Sequence, residues 1–322
     1  MKFNGPFKDD INNYIDYRIN VKHQKLSTVS AGLKQFDEYT LNIKANNELT
    51  KEVVENWLTL REKENPKTLN KRLYTMRVFA KYLNMIGKQA FVISTNYYLK
   101  ETKFIPHIYT DEEVKLFFES IDKYPYCFYN SNIKNRGIQM KLLFKILYCC
   151  GLRISECLNL KYEDINLNEG SIKIRNAKFN KSRLLFINED LVNNLTYYIN
   201  NYSNDECDYI FYNKYNNNRI SYDFVNQFFK RVIVNSNFDK NKSYRIHDFR
   251  HTFAVNNIKK AFQNNEDVDA FLPILMNYMG HADIKETEYY LRLTPDIYRT
   301  IISRYEKRFI DIFNKEVNYF EE

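Results

Sequence analysis

Between Lys67 and Ile86, apolar and charged residues recur with a helical period. At 100° per residue, Leu69, Leu73, Met76, Phe79, Ala80 and Leu83 fall within an arc of about 120°, and Lys67, Lys71, Arg77 and Lys81 fall on the opposite side. One face of a helix over 67–86 therefore packs, and the other is cationic. Three further helical stretches precede it, at 8–20, 27–43 and 51–64. Thr50 suits the N-cap of the third, and Pro66 suits the first turn of the fourth. Up to about residue 105 the chain reads as a small helical bundle. Residues 87–109, which contain Gly87 and Pro106, read as a linker.

The second region opens on Thr110-x-x-Glu113, a capping-box pattern ahead of Val114, Leu116, Phe117 and Phe118. A strongly apolar helix is expected at about 136–150, ended by Gly151. Alternation in Ser171–Arg175 and Leu184–Ile187 predicts two short strands, joined by residues 176–183 into a hairpin with a cationic tip. Helices at about 189–202 and 222–236, a short strand at Tyr209–Tyr212 and a surface loop at Asn213–Asn218 complete this part. After Pro295, the residues Ile297, Ile301, Tyr305, Phe309 and Ile312 recur at helical spacing and predict a C-terminal helix to about 314. Such a stripe needs a partner surface, on its own domain or on another subunit. The expected fold class is mainly α with a small β-sheet (α+β), in two domains, 1–105 and 106–322.

A chain of 322 residues can bury two cores. Its mean hydropathy of -0.58 and the lack of an 18-residue apolar run predict a soluble protein with no membrane partner. The N-terminus, Met1 to Pro6, has no apolar segment of the kind that directs secretion, so a cytoplasmic location is expected. Five cysteines without a C-x-x-C spacing read as reduced packing residues. The net charge of +8 is unevenly spread: residues 1–105 hold 18 basic against 11 acidic residues, and residues 106–322 hold 30 against 29. The polyanion signal thus lies in the first third, and the cationic face of the 67–86 helix reads as a phosphate-backbone contact surface. Only 7 glycines are present, with neither G-x-G-x-x-G nor G-x-x-x-x-G-K-[ST], which argues against nucleotide hydrolysis.

Candidate chemistry concentrates between His247 and Tyr290. His247-Asp248-Phe249-Arg250-His251 could place two imidazoles one turn apart, as zinc ligands are placed. However, no Glu follows His247 directly, and Arg250 would set a cation beside the metal. A phosphate suits the set better. Guanidinium forks match its oxygens, imidazoles donate to them, and a phenol can attack phosphorus once surrounding cations lower its pKa from about 10. Gly280-His281 and the pair Tyr289-Tyr290 follow. Upstream, Leu152-Arg153-Ile154-Ser155-Glu156 puts an arginine at a helix start, with Glu156 one turn on and able to hold it.

In order, Gly151-Leu152-Arg153-Ile154-Ser155-Glu156, Lys178 in a hairpin, His247-x-x-Arg250-His251, Gly280-His281 and Tyr290 nine residues later resemble the tyrosine recombinases, the phage-integrase and Xer-type enzymes. The resemblance covers the whole second domain, and the first region is similar to the family's helical core-binding (SAM-like) domain. It implies a site-specific DNA recombinase that acts on double-stranded DNA as a homo-oligomer, a tetrameric synapse, with no ATP, metal or other cofactor. Tyr290 would form a 3′-phosphotyrosine link, and Arg153 and Arg250 would clamp the scissile phosphate. His247 and His281 would bond the phosphate or assist proton transfer, Lys178 would be the general acid, and Glu156 would support Arg153.

Within this resemblance Tyr290 is preferred to Tyr289 for its spacing from His281. Lys178 is preferred to Lys181 because Ala177-Lys178-Phe179-Asn180-Lys181-Ser182-Arg183 resembles the family's G-K-G-N-K-x-R with both glycines replaced. A long span around Gln263–Ala270 and the segment Tyr290–Thr294 are more similar to recombinases borne on transposons and integrative elements. With little chain before the first helix, the arm-binding domain of lambda-type integrases is not expected. The family commonly docks its C-terminal helix on a neighbouring protomer. Two competing readings are a type IB topoisomerase and a non-catalytic DNA-binding relative. The helix after Tyr290 speaks against the former, and the complete residue set against the latter.

Overall fold

The computed structural model describes residues 2–23, 27–62, 64–100, 105–123, 134–175, 182–204, 206–213, 215–281, 283–291, 293–294, 299 and 303. The expected hairpin tip with Lys178 and Lys181, and the stripe residues of the expected C-terminal helix, lie outside the described residues. The chain divides into two compact units, Met1–Phe104 and Ile105–Glu322.

The first unit is a helical bundle of α1 (Lys8–Asp16), continued by a wider turn over Tyr17–Val21, α2 (Ser27–Asn42), α3 (Lys51–Leu58) and α4 (Pro66–Met85). Thr50 caps α3 by accepting the Val53 N–H, and Asn65 caps α4 ahead of Pro66. The apolar arc of α4 is buried against Phe7, Ile11, Phe36 and Trp57. Helix α3 stops at Leu58 rather than running to 64, and the cause is Arg72. Its guanidinium lies 4.7 Å over the Trp57 ring, takes the carbonyls of Trp57 and Thr59, and pairs with Glu64, so the chain after Leu58 turns out of the helix to serve it. Residues 87–100, expected as linker, belong to this core instead. Leu49 bridges Ala90, Ile93 is buried, and the Asn70 side chain bonds both backbone groups of Leu99.

In the second unit, Thr110 and Glu113 exchange reciprocal bonds of 3.2 and 3.0 Å at the start of α5 (Asp111–Lys123). Helix α6 (Lys134–Cys150) is the hub, with Met140, Leu143, Phe144, Ile146 and Leu147 all buried. The short α7 (Ile154–Leu158) leads to an antiparallel sheet of β1 (Ile165–Asn166), β2 (Ser171–Ile174) and β3 (Arg183–Phe186), in the order β1-β2-β3. Ile172 pairs with Leu185 in that register, and both point into the core.

Helices α8 (Glu189–Tyr202) and α9 (Tyr222–Val234) flank a two-stranded hairpin of β4 (Tyr212–Asn213) and β5 (Asn218–Arg219). Of the segment Asn213–Asn218, expected as a surface loop, the two end residues pair as strands, and residues 215–217 form a turn with Asn217 at a positive φ of 47°. Tyr209, expected in a strand, makes only an isolated bridge to Lys161. Helices α10 (Asp248–Gln263), α11 (Val268–Met279) and α12 (Ile284–Leu291) pack on one another, and α10 also packs on α6. Four cysteines among the described residues are free thiols.

Candidate active site

Two glycines in the left-handed region build the floor of the site. Gly151 ends α6 at φ +59°, and an added Cβ would stand 2.3 Å from the Phe253 ring. Gly280 ends α11 at φ +68°, and the chain reverses there, with the His281 N–H donating back to the Met276 carbonyl at 3.0 Å. Each helix end leaves carbonyls without an intrahelical donor, at the negative end of the helix dipole. Arginines take them. Arg250, 2% exposed on α10, donates to the Gly151 carbonyl at 2.6 Å and the Met279 carbonyl at 2.8 Å. Arg153, at the start of α7, donates to the Gly280 carbonyl at 3.0 Å and to Glu156 at 2.9 Å. Carbonyl dipoles orient a cation without neutralising it, so Arg250 keeps its charge in a dry setting. Among the described residues no carboxylate pairs with it. Burial, then Arg153, lower its pKa to about 10.

The imidazoles and the phenols surround these two cations. Arg245 and the buried Asp248 tie the turn before α10 through bonds of 2.7 and 2.9 Å, which sets His247 at the helix start. Crowding by protein atoms, then Arg250, Arg245 and Arg153, push the His247 pKa to about 4, while its exposed edge lets water offset part of that penalty. His251 stacks edge-on against His247 at 4.7 Å and lies 5.6 Å from the Tyr290 ring. Burial, then His247, Arg245, Arg250 and His281, hold its pKa near 3. Both rings are neutral at pH 7. His281 is buried, shares a 2.8 Å bond with Thr287, and stacks on Tyr290 at 6.0 Å.

Tyr290 is buried at 3% exposure, and Arg250 is the first cation that acts on its oxygen. The cations were expected to lower the phenol's pKa. Burial outweighs them, and the pKa is raised, with Arg250 and then Arg153 opposing the rise. Tyr289 is half-buried, and Arg245 is the cation that acts on it. The structure therefore brings Arg153, Glu156, His247, Arg250, His281 and Tyr290 to one place, and Lys178 lies outside the described residues. Sequence reasoning missed Thr287, which orients His281, and Arg183, which bonds the same Glu156 carboxylate as Arg153. In the first unit, Lys67, Lys71 and Lys81 are exposed on α4. Arg77 departs from them: it is half-buried and donates to the Ile93 carbonyl.

Comparison with known proteins adds three observations. The model of the phage integrase family matches residues 110–296. A putative integrase/recombinase of Sinorhizobium fredii is 26% identical over 95% of this chain and 98% of its own length, and the tyrosine recombinase XerA of Pyrococcus furiosus is 27% identical over 64% of each. Among solved structures, the XerH recombinase bound to its difH substrate after cleavage superposes with a TM-score of 0.62 at 20% identity, covering 87% of this chain and 79% of that one. The Tn1549 transposon integrase in complex with a circular-intermediate DNA gives the same TM-score of 0.62 at 16% identity, covering 92% and 98%. At these identities the two structural likenesses speak for the fold.

Proposed function

The chain belongs to the phage integrase family, and from that premise we propose that it is a site-specific DNA recombinase whose nucleophile is Tyr290. The Tyr290 hydroxyl passes its proton to one of the imidazoles of the site, His281 or His247, as its oxygen attacks the scissile phosphorus; an O–P bond forms to the protein, and the P–O5′ bond breaks. Lys178 gives its proton to the departing 5′ oxygen, and a 5′ hydroxyl from a second strand reverses the step. Arg250 and Arg153 neutralise the non-bridging oxygens as charge builds on them, and His247 and His281 add hydrogen bonds. Because the protein–DNA ester keeps the phosphodiester energy, the cycle consumes no nucleotide.

One observation carries the reading: Arg250 is buried on helix-end carbonyls, without a counter-ion among the described residues, and within hydrogen-bond reach of a buried tyrosine. A desolvated cation of that kind is complementary to an anion that arrives. The partner is double-stranded DNA in the cytoplasm, and four protomers form the synapse. A contact passed from one protomer to the next in such a synapse is heterologous and can close into a ring.

The test is covalent capture. On a nicked suicide duplex the wild type yields a denaturation-resistant protein–DNA band, Tyr290→Phe binds the duplex but yields none, and Tyr289→Phe still yields it. A band that survives Tyr290→Phe and is lost with Tyr289→Phe would reassign the nucleophile.

A further inference from the structure

Strand β3 begins at Arg183, a residue with no part in the reaction described above. Its side chain is 11% exposed and engaged on three sides: Nη1 and Nη2 donate to the two oxygens of Glu156 at 3.1 and 2.9 Å, and Nε donates to the Tyr278 carbonyl at 2.8 Å. The same carboxylate accepts Arg153 Nη1 at 2.9 Å and the Arg153 backbone N–H at 3.0 Å. One carboxylate thus joins two arginines, one rooted in the sheet and one in the site. Burial alone would raise the Glu156 pKa, but bonds and charge from Arg183, then from Arg153, hold it at about 2, so the carboxylate stays ionised between them. Gly280 belongs to the same arrangement. A Cβ there would stand 2.6 Å from Arg183 Nη1, so the glycine whose φ reverses the chain also clears the space the guanidinium fills.

We propose that Arg183 is a positioning residue for the phosphate clamp: by fixing Glu156 and the end of α11 together, it holds Arg153 in the one orientation that meets the scissile phosphate. Arg153 is 22% exposed and is held by the Glu156 carboxylate at 2.9 Å, the Gly280 carbonyl at 3.0 Å and, more loosely, Glu286 at 4.0 Å; at that exposure these bonds alone would leave the Arg153 and Glu156 side chains rotamer freedom. A bidentate fork on the far side of the carboxylate removes that freedom, as outer-shell partners do for metal ligands. Arg183 therefore acts through Arg153 and touches no substrate atom. The inference rests on the reading of Arg153 as a clamp.

The experiment compares single-turnover covalent capture on three suicide duplexes that differ only at the scissile linkage. One is the natural phosphodiester. The second is a methylphosphonate, which lacks the charged non-bridging oxygen that the clamp neutralises. The third carries a 5′-bridging sulfur, which leaves without needing a proton. Arg183→Gln should slow capture of the natural linkage about 10–100-fold, show a much smaller loss on the methylphosphonate, and keep its full loss on the sulfur linkage. Arg183→Lys, which keeps the charge but not the fork, should fall between wild type and Arg183→Gln. Adding Arg183→Gln to Arg153→Ala should cost nothing further on the natural linkage.

Equal losses on all three linkages would reduce Arg183 to a folding role. Rescue by the sulfur linkage would assign it to the leaving group, and an unchanged natural rate or an additive double variant would also overturn the proposal. Two controls separate failure of the underlying reading. Capture that persists in Tyr290→Phe, or an Arg153→Ala defect that the methylphosphonate leaves untouched, would overturn the site itself and this inference with it.

Discussion

Arg72 in the first unit and Arg250 in the second are equally buried, at 3% and 2% exposure, and they are held in opposite ways. Arg72 bonds both oxygens of Glu64 at 2.9 and 2.8 Å and lies over the face of Trp57, so its charge is cancelled where it sits. Arg250 rests on the carbonyls of Gly151 and Met279, which orient it and cancel nothing. The first arrangement is a tie that closes a helix end. The second keeps a charge dry and unmet, a costly state that becomes favourable when an anion enters. Burial alone does not tell a structural arginine from a functional one; the partner does.

Two substitutions test that contrast, with the largest effects expected here. Arg250→Lys keeps the charge but loses the fork, and should lower covalent capture about 10²–10³-fold while DNA binding persists. Arg72→Met strands a buried Glu64 carboxylate and should cost about 3–5 kcal/mol of first-unit stability with capture unchanged at permissive temperature. Adding Glu64→Gln should return much of that stability. Trp57 is the chain's one tryptophan and lies in this unit, so its fluorescence follows the first unit's unfolding alone. If Arg72→Met impaired capture as deeply as Arg250→Lys at full folding, the contrast would collapse.

The sequence already contained a trace of this difference. On the α4 wheel Arg72 falls inside the apolar arc, among Leu69, Leu73 and Met76, and a lone cation there is a sign of a buried pair. Its partner was not legible, because Glu64 reaches it only where α3 has ended. The helices up to α9, the caps at Thr50 and Thr110, and the β2–β3 pair followed from period and end chemistry, which are local, whereas α10, α11 and α12 had no range in the sequence pattern. The candidate site followed from ordered motifs. Its supports did not, because they are bonds between a side chain and a distant backbone carbonyl: Arg250 to Gly151 and Arg153 to Gly280 depend on where two helices end relative to a third. Arg77 shows the converse. Its place on the cationic side of the wheel was plain, and only the fold of residues 87–100 shows that it turns to the Ile93 carbonyl.

The unmet charge of Arg250, with Arg245, also acts on the imidazoles, and a pH titration sharpens the contrast at a smaller scale. His251 falls from an ordinary 6.5 to about 3, by burial first and then by His247, Arg245 and Arg250; His247 falls to about 4. The folded pKa values lie below the unfolded ones, so the unfolded chain binds more protons in between. Stability from the neutral rings is complete above about pH 6.5 and is lost as pH falls through the interval towards 4 and 3. Glu156 titrates lower, with stability present above its ordinary 4.5 and lost towards 2, so between pH 6.5 and 4.5 the slope belongs to the histidines. Each contributes at most about 1.4 kcal/mol per pH unit, less at His247, where water screens. Urea midpoints of the second unit, read by circular dichroism, should drop between pH 7 and 5, and His251→Gln should flatten the drop. An equal drop in that variant would show that His251 does not carry it.

The smallest effect concerns cations that are neither buried nor paired inside a core. Lys67, Lys71 and Lys81 stand exposed on one face of α4, each a solvated point charge with freedom to follow a phosphate backbone. Arg77 shares their face on a helical wheel but has its guanidinium committed to the Ile93 carbonyl. If exposed lysines act by releasing counter-ions from DNA, each one lost should flatten the plot of log binding constant against log salt by up to about 0.9. The loss should be equal on target and random duplexes, because backbone contacts carry no base information. The triple variant Lys67→Ala, Lys71→Ala, Lys81→Ala should show that flattening with its Trp57 unfolding midpoint unmoved. Adding Arg77→Ala should leave the slope where the triple variant put it and lower the midpoint instead, because an internal tie is lost rather than a phosphate contact. A further flattening on adding Arg77→Ala would mean that Arg77 leaves its carbonyl for DNA. An unchanged slope in the triple variant would mean that this face is only solvated.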